Sequence, residues 1–384
     1  MRDPVDLEPT SFSAVAEALA RASAEHHSVR IRGGGTKLEW GAPAASSPDV
    51  DLRTTALSRI TEHNVGDLTA VLQAGVAVAR AQKAFAAEGQ MLALDPPLGI
   101  GGGDGATIGG MIATGDSGPL RHRYGAPREL IVGMTVALSD GTVARSGGKV
   151  IKNVAGYDLG KLFAGSFGTL GVILSVSVRL HPVPAASATA LGASSEPSVL
   201  ASAARALAMA PLELEALDIA WRAGRGGILA RCGGVEASRR CQRVAALMRR
   251  EGLEQVDVST EDAELWARQR AGQRSRDRAL LAIAAPPSSL AELLGCAQAC
   301  AGTLVGRAAL GSCFVELDPG ALPRLRAELP RGAKSVLVDA PAELRAAVDP
   351  WDCTEGPALE LCKRVKARFD PSATCNPGVF VGGI

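Results

Sequence analysis

The sequence predicts an α+β fold in two domains. Three observations carry this expectation. At 384 residues the chain exceeds the usual single-domain range of about 100–200 residues. Hydrophobic spacing switches repeatedly between the 3-4 period of a helix and the alternation of a strand. Glycine-rich loops interrupt the first half at places where a strand has just ended, whereas the second half is a plainer alternation of helical and strand-like stretches.

The first 184 residues read in order as follows. Phe12, Val15, Ala16, Leu19 and Ala20 share one helical face within residues 11–25, with Thr10 or Ser11 as cap. Ser28 to Arg32 alternates as a strand and runs straight into Gly33-Gly34-Gly35-Thr36-Lys37. A Rossmann unit would open a helix at such a loop, but Leu38 to Pro43 is turn-rich, so that reading fails. What survives is a nest of consecutive backbone N–H groups able to hold a phosphate, aided by Arg32 or Lys37, with an ordinary turn as the alternative. Leu68, Ala70 and Leu72 alternate, Gly75 turns the chain, Val76 to Glu88 has helical spacing, and Gly89 caps it before Met91 to Ala93. Asp95-Pro96-Pro97 forces an extended turn. Glycines, small residues and two threonines then alternate from Thr107 to Gly115, a backbone suited to lie beside a ring system and offer donors to it. A hairpin from Ile131 to Val143 turns at Asp140-Gly141. The segment from Gly147 to Ile173 places glycines at 165, 168 and 171 before the apolar run Val172 to Val178, so a backbone pressed against something flat enters a buried strand. A nicotinamide, a flavin or a neighbouring strand could fill that place.

After His181-Pro182-Val183-Pro184 the pattern changes. Helical stretches (198–209, 235–250, 288–301) alternate with short strands (226–232, 312–317, 335–339), and residues 185–200 are Ala/Ser-rich with weak patterning. A C-terminal helix over 356–365 and a turn-rich end follow. The expected organisation is 1–184, 185–350 and a returning segment 351–384.

Composition excludes several classes. The formal charge is +1, from 41 basic and 40 acidic residues without long runs, so neither nucleic acid nor an anionic membrane surface is indicated. Eight cysteines, from Cys232 to Cys375, contain no CxxC pair; free thiols in a reducing compartment are expected rather than disulfides, a metal cage or an iron–sulfur centre. The first residues lack a secretory apolar core and no apolar run reaches the ~18–20 residues of a membrane span. The expectation is a cytoplasmic protein, compatible with peripheral attachment at the inner membrane through partners.

Five motifs resemble, in order, the FAD-binding fold of the vanillyl-alcohol oxidase or p-cresol methylhydroxylase type: IRGGGTK (31–37), AEGQMLALDPP (87–97), ATIGGMIATGDSGPLRHRYG (106–125), KNVAGYDLGKLFAGSFGTLGVI (152–173) and FDPSATCNPGVF (369–380). The KNVAGYDL form is most similar to the FAD-binding subunits of glycolate oxidases. The resemblance implies a two-subdomain FAD-binding domain, a smaller α+β cap and a C-terminal return to the flavin. It implies FAD held by Arg32, Gly33, Gly34, Gly35, Thr36 and Lys37, by Pro96 and Gly118, and by Thr107, Gly109, Gly110, Ala113, Thr114 and Gly115. Gly165, Ser166, Gly168, Leu170, Gly171 and Ile173 would line the adenine or isoalloxazine side, with Asn376 returning to it. Some relatives link flavin covalently through a histidine in the first glycine loop; Thr36 stands here, so non-covalent FAD is expected.

The resemblance also implies a cap histidine cluster that binds a divalent metal and substrate. The five histidines (26, 27, 63, 122, 181) all precede the cap, so no metal is expected. Oxidising a 2-hydroxy acid needs a base, a cation for the carboxylate and flavin N5 as hydride acceptor. Arg231 and Arg270 are the candidate cations, and Tyr157 or Lys152 could orient the flavin, with helix-start packing the alternative for Tyr157. The expected role is an FAD-binding subunit of a multi-subunit glycolate oxidase or dehydrogenase, beside a catalytic flavoprotein and an iron–sulfur subunit. A self-sufficient 2-hydroxy-acid dehydrogenase and a non-catalytic assembly subunit are the alternatives.

Overall fold

The computed structural model describes residues 3–44, 46–98, 105–149 and 157–384. The fold is α+β, and its strands make four sheets among those residues. A three-stranded parallel sheet runs in the order Val5–Leu7, Val50–Arg53, Val29–Arg32. Helix Phe12–Ala24 is capped by the Ser11 side chain, which accepts from the Ala14 N–H, and buries Val15, Leu19 and Ala22 with Val29 and Leu52 of that sheet.

An antiparallel five-stranded sheet follows, ordered Ile60–Asn64, Thr69–Gln73, Val172–Arg179, Ile131–Ala137, Val143–Gly147. Its centre is the apolar run anticipated after Gly171. Seven of the eight residues of Val172–Arg179 are buried, as expected for a strand covered on both faces. Helix Val78–Ala86 packs Val78, Ala81 and Phe85 into the core on one side of this sheet, and Val172 and Leu174 join the core of the first sheet on the other.

The fourth sheet has eight antiparallel strands, all drawn from residues 187–339. One face is closed by helices Pro197–Met209, Ala237–Arg250 and Leu290–Ala299 in the largest core. The other face presents Leu280, Phe314 and Val338, which cluster with Trp40 from the loop after the first glycine run. The two halves therefore share a buried apolar contact.

Strands Ser187–Ser194, Ala216–Arg222, Glu254–Ser259, Ala279–Ala284 and Thr303–Arg307 were not expected. ALLAIA is a short apolar run that periodicity cannot tell from a buried helical segment, SATALGAS is built of small residues with weak patterning, and only pairing with neighbours makes them strands. Thr107 to Gly115 is likewise not an extended run: Thr107 caps a seven-residue helix, Ile108–Thr114, that ends at Gly115 in the left-handed region. The C-terminal helix runs further than expected, to Phe369. Beyond it, Val29 N–H donates to Thr374 O at 2.8 Å and Asn376 N–H to Val29 O at 2.9 Å. The end of the chain thus lies against the outer strand of the first sheet.

Candidate flavin site

The glycine loop after Val29–Arg32, the first turns of helix Ile108–Thr114 and the loop before Val172–Arg179 enclose a groove of about 940 Å³ including its open mouth. The glycines explain how these segments come so close. A Cβ on Gly33 would lie 2.0 Å from Thr107 Oγ1, and one on Gly34 would lie 1.5 Å from Gly105 O, distances no side chain can occupy. A Cβ on Gly109 would meet Ala74 Cβ at 2.7 Å, so that glycine seats the helix against the Thr69–Gln73 hairpin side of the domain. Among the described residues, the backbone N–H groups of Gly33, Gly34, Gly35, Thr36 and Lys37 donate to no protein acceptor. Five consecutive free donors make a nest of the kind that binds phosphate oxygens.

The charges around the nest are largely spoken for. Arg30 and Arg32 both pair with Asp51, Arg32 Nε at 2.7 Å. Burial alone would raise the Asp51 carboxyl, but hydrogen bonds from Arg32 and Arg30 outweigh it and hold it below its ordinary value. Lys37 Nζ lies 2.6 Å from Asp116 Oδ2, both side chains almost wholly buried, and 5.4 Å from the Trp40 ring. Arg274, from the second half of the chain, donates to Thr36 O at 3.3 Å and to Asp339 at 2.8 Å, and its guanidinium lies 5.5 Å from the Trp40 ring. Asp339 also accepts from Trp40 Nε1 at 2.9 Å. A cation and a carboxylate from beyond residue 185 thereby fix the carbonyl and indole that follow the nest.

Of the residues singled out from sequence, Arg32, Gly33, Gly34, Gly35, Thr36, Lys37, Thr107, Gly109, Gly110, Ala113, Thr114, Gly168, Gly171, Ile173 and Asn376 line this groove. Thr114, expected to offer its hydroxyl, donates it to Gly110 O at 2.9 Å. Asn376 is spent on the protein as well: its Oδ1 accepts from Ile31 N–H and its Nδ2 donates to Phe167 O, each at 2.7 Å.

Pro96, Gly115, Gly118, Gly165 and Ser166 do not line the groove. They pack the segments around it. Gly115 and Gly165 sit against each other, a Cβ on Gly115 lying 3.4 Å from Gly165 Cα, and Ser166 returns its hydroxyl to Phe163 O at 2.9 Å. Gly118 lies so close to Asp95 that a Cβ would sit 1.9 Å from its carbonyl, and Pro96 is buried next to that residue. Leu170 is core. Tyr157 is 90% exposed, so its ring neither packs at a helix start nor reaches the groove. Lys152 lies outside the described residues.

Sequence reasoning missed Trp40, Phe167, Arg274 and Asp339. Trp40 and Phe167 line the groove. Phe167 makes ring contacts with Trp351 and Phe380 at 5.1 and 5.8 Å. The signal available was the scarcity of aromatics, 3% of residues, against which each one marks a place of unusual contact area.

Residues 4–147 match the family model described as "FAD binding domain". They hold the nest, the Asp51 pairs and the helix beginning at Thr107. This chain carries an FAD-binding domain. Its groove is the fitting place for the cofactor, since the five nest donors are unspent among the described residues and three of them belong to glycines, which put no side chain in the way of a diphosphate.

Sequence comparison finds the chain similar to "Glycolate oxidase subunit GlcE" of Escherichia coli (strain K12), 34% identical over 45% of this chain and 48% of that protein. It is similar to "Glycolate oxidase subunit GlcD" of Bacillus subtilis (strain 168), 33% identical over 48% of this chain and 38% of that one. It is also similar to "D-lactate dehydrogenase [cytochrome], mitochondrial" of Arabidopsis thaliana, 35% identical over 41% and 27%. The matches thus span half or less of each of these proteins. In three dimensions the chain superposes on alkyldihydroxyacetonephosphate synthase with a TM-score of 0.69 at 13% identity, covering 97% of this chain and 76% of that one. The fold is of the p-cresol methylhydroxylase type, α+β as the sequence predicts. No helix among the described residues is long and apolar enough to cross a membrane.

Proposed function

We infer that this chain is an FAD-dependent oxidoreductase acting on the CH–OH group of 2-hydroxy acids, as the FAD-binding subunit of a multi-subunit glycolate oxidase or dehydrogenase. The observation that carries this reading is the nest of Gly33 to Lys37 facing Thr107 across the groove, in a domain whose relatives include two glycolate oxidase subunits. In this reading residues 1–184 bind FAD, 185–350 form the cap and 351–384 return to the FAD domain.

The chain's own groups divide the work. The five nest donors hold the pyrophosphate, and Gly168, Gly171 and Ile173 flank the elongated ligand with backbone and small side chains. Lys37, already neutralised by Asp116, adds position rather than net charge, and Arg32 likewise keeps Asp51 company. Asn376 and Arg274 close the groove from the C-terminal segment and the cap. When bound, FAD supplies a two-electron acceptor. With Thr36 in the loop, binding is non-covalent.

The residues proposed as substrate cations differ in placement. Arg231 lies 3.4 Å from Asp262 and donates to Ser187 Oγ at 3.2 Å. Arg270 lies only 3.7 Å from Asp95, a looser pairing that leaves most of its donors free. Neither lines the groove; of the two, we assign Arg270 as the candidate cation for a substrate carboxylate. Electrons leave through partners, a catalytic flavoprotein and an iron–sulfur subunit, in a cytoplasmic complex attached peripherally to the inner membrane. Reconstituting the purified chain with FAD and adding glycolate or D-lactate without oxygen tests this. Bleaching of the flavin by the chain alone would replace the partner-dependent reading with a self-sufficient dehydrogenase.

A further inference from the structure

The chain from Thr36 to Ala42, which carries the end of the nest, is held at four points by residues beyond 270. Arg274 donates to Thr36 O from both Nη1 and Nη2, each at 3.3 Å. Trp40 Nε1 donates to Asp339 at 2.9 Å, Arg345 to Gly41 O at 3.3 Å, and Ala42 N–H to Val379 O at 2.8 Å. Trp351 Nε1 braces that last carbonyl with a second bond of 3.1 Å. The loop that binds is therefore shaped by the half of the chain that does not contain it.

Arg274 makes the contact nearest the donors, and it is itself locked. Its Nε donates to Asp339 Oδ2 at 2.8 Å and its Nη2 to Oδ1 at 3.3 Å, while Ser275 N–H donates to Oδ2 at 2.9 Å. The side chains of Arg274 and Asp339 are 10% and 4% exposed. One guanidinium plane thus spans a carboxylate of the second half and a carbonyl of the nest, which a planar fork can do and a single ammonium cannot. The carbonyl matters because a peptide bond is planar and trans. Thr36 C=O and Lys37 N–H point to opposite sides of one rigid unit, so holding the oxygen toward Arg274 turns the Lys37 N–H away from it. Lys37 lines the groove, and its N–H has no protein acceptor among the described residues. The adjoining glycines give this peptide no steric reason to keep its orientation. A cation on the oxygen also polarises the unit and strengthens its N–H as a donor.

We propose that Arg274 is a positioning residue for the nest: braced by Asp339, it fixes the Thr36 carbonyl so that the Lys37 N–H stays aimed at the cofactor diphosphate. This inference rests on the nest reading above and extends it across the domain boundary. Arg274 adds little net charge, since Asp339 neutralises it, and acts through geometry. Docking of the cap and retention of the cofactor are thereby coupled. A cap that lifts away frees the peptide to turn, and by reciprocity a bound diphosphate favours the docked cap.

The test uses the full chain, stripped of flavin and titrated with FAD. Flavin fluorescence gives the dissociation constant, phosphorus NMR reports on the bound diphosphate, and urea unfolding of the flavin-free chain gives stability separately. Arg274→Met combined with Asp339→Asn removes the fork without stranding a charge, and the asparagine oxygen still serves Trp40 and Ser275. It should bind FAD about tenfold more weakly, as expected for the loss of one strong hydrogen bond, and should shift the phosphorus resonances of the bound cofactor. Arg274→Lys keeps the charge and the Asp339 pair, so it remains informative if the double variant folds poorly, and it should bind as weakly. Arg326→Met is the control. Arg326 also holds a backbone carbonyl, that of Asp349 at 3.0 Å, but within the second half, so its loss should lower stability and leave both flavin readouts unchanged. Wild-type affinity in Arg274→Lys overturns the proposal, because charge alone would then suffice. An equal loss of affinity in Arg326→Met overturns it too, as general weakening of the cap. FAD bound equally by wild type and the double variant rejects this inference alone, whereas a wild-type chain that takes up no FAD rejects the nest reading and this inference with it.

Discussion

The side-chain amide of Asn376 donates to the carbonyl of Phe167 at 2.7 Å while its oxygen accepts from Ile31 N–H at the same distance. One residue near the end of the chain thus joins the strand before the nest to the loop before Val172–Arg179. Its own φ of 41° is left-handed, a region asparagine enters more readily than most side chains. Lys366 repeats the device nearby, donating to Thr169 O at 2.7 Å and Cys375 O at 2.9 Å while paired with Asp370.

Replacing Asn376 by Ala strips both contacts and leaves buried backbone groups unmatched, so it should cost about 2–3 kcal/mol of stability and reduce flavin retention. Urea unfolding with and without FAD measures both. Asn376→Asp keeps the acceptor for Ile31 but sets a carboxylate against the Phe167 carbonyl, and should bind FAD no better than Asn376→Ala.

Gly34→Asp resembles a test of charge at the nest, but a Cβ there would lie 1.5 Å from Gly105 O. Gly34→Ala should therefore lose flavin as fully as Gly34→Asp, as judged by the flavin-to-protein absorbance ratio. Gly110 gives the contrast: its added Cβ would meet only Thr107 Oγ1, at 3.2 Å, and Gly110→Ala should fold with near-native stability.

The buried Lys37 and Asp116 pair separates charge from packing. Removing either partner strands a buried charge, at a cost of about 3–5 kcal/mol. Lys37→Met combined with Asp116→Leu should recover much of that loss. A double-mutant cycle by chemical denaturation should show strong coupling; additive effects would mean the pair is not formed.

Asp95 gives a pH signature. Burial, the largest influence, and the nearby Asp218 push its carboxyl up to about 7, against the opposing pull of Leu120 N–H, Arg270 and Arg307. In the unfolded chain the carboxyl ionises near the ordinary aspartate value. Between the two values the native state holds the extra proton, so stability falls as pH rises from about 4 to about 7 and levels off above that. Asp95→Asn should remove this slope and be more stable than wild type at pH 8. Thermal or urea unfolding of both across pH 4–8 reads the difference, from which unrelated titrations cancel.

The FAD-binding half was legible in the sequence because its job is done by backbone. Positions such as Gly33, Gly34 and Gly109 tolerate no Cβ, and that requirement is written directly as glycine. The capped helix over residues 11–25 and the buried strand after Gly171 were equally plain, since one follows the helical period and the other is a mostly apolar run of strand length. Strand Ala279–Ala284 was not, because a short alanine-rich run becomes a strand only when flanked by Ser312–Leu317 and Lys334–Asp339. Arg274 and Asp339 were invisible for a related reason. Their partners, Thr36 and Trp40, lie more than 200 residues away, and an arginine bound to a distant carbonyl looks in sequence like any solvated one. Asp95 sat inside a recognised motif, yet only the folded chain reveals the arginines that surround it.

The central claim is that the nest between Gly33 and Lys37 holds FAD without a covalent link, and the most direct measurement is the absorbance of the purified chain after incubation with FAD and desalting. A flavin spectrum near one FAD per chain, released entirely into the supernatant when the protein is precipitated with acid, is the expected result. A chain that is folded by circular dichroism yet retains no flavin after reconstitution would contradict the account.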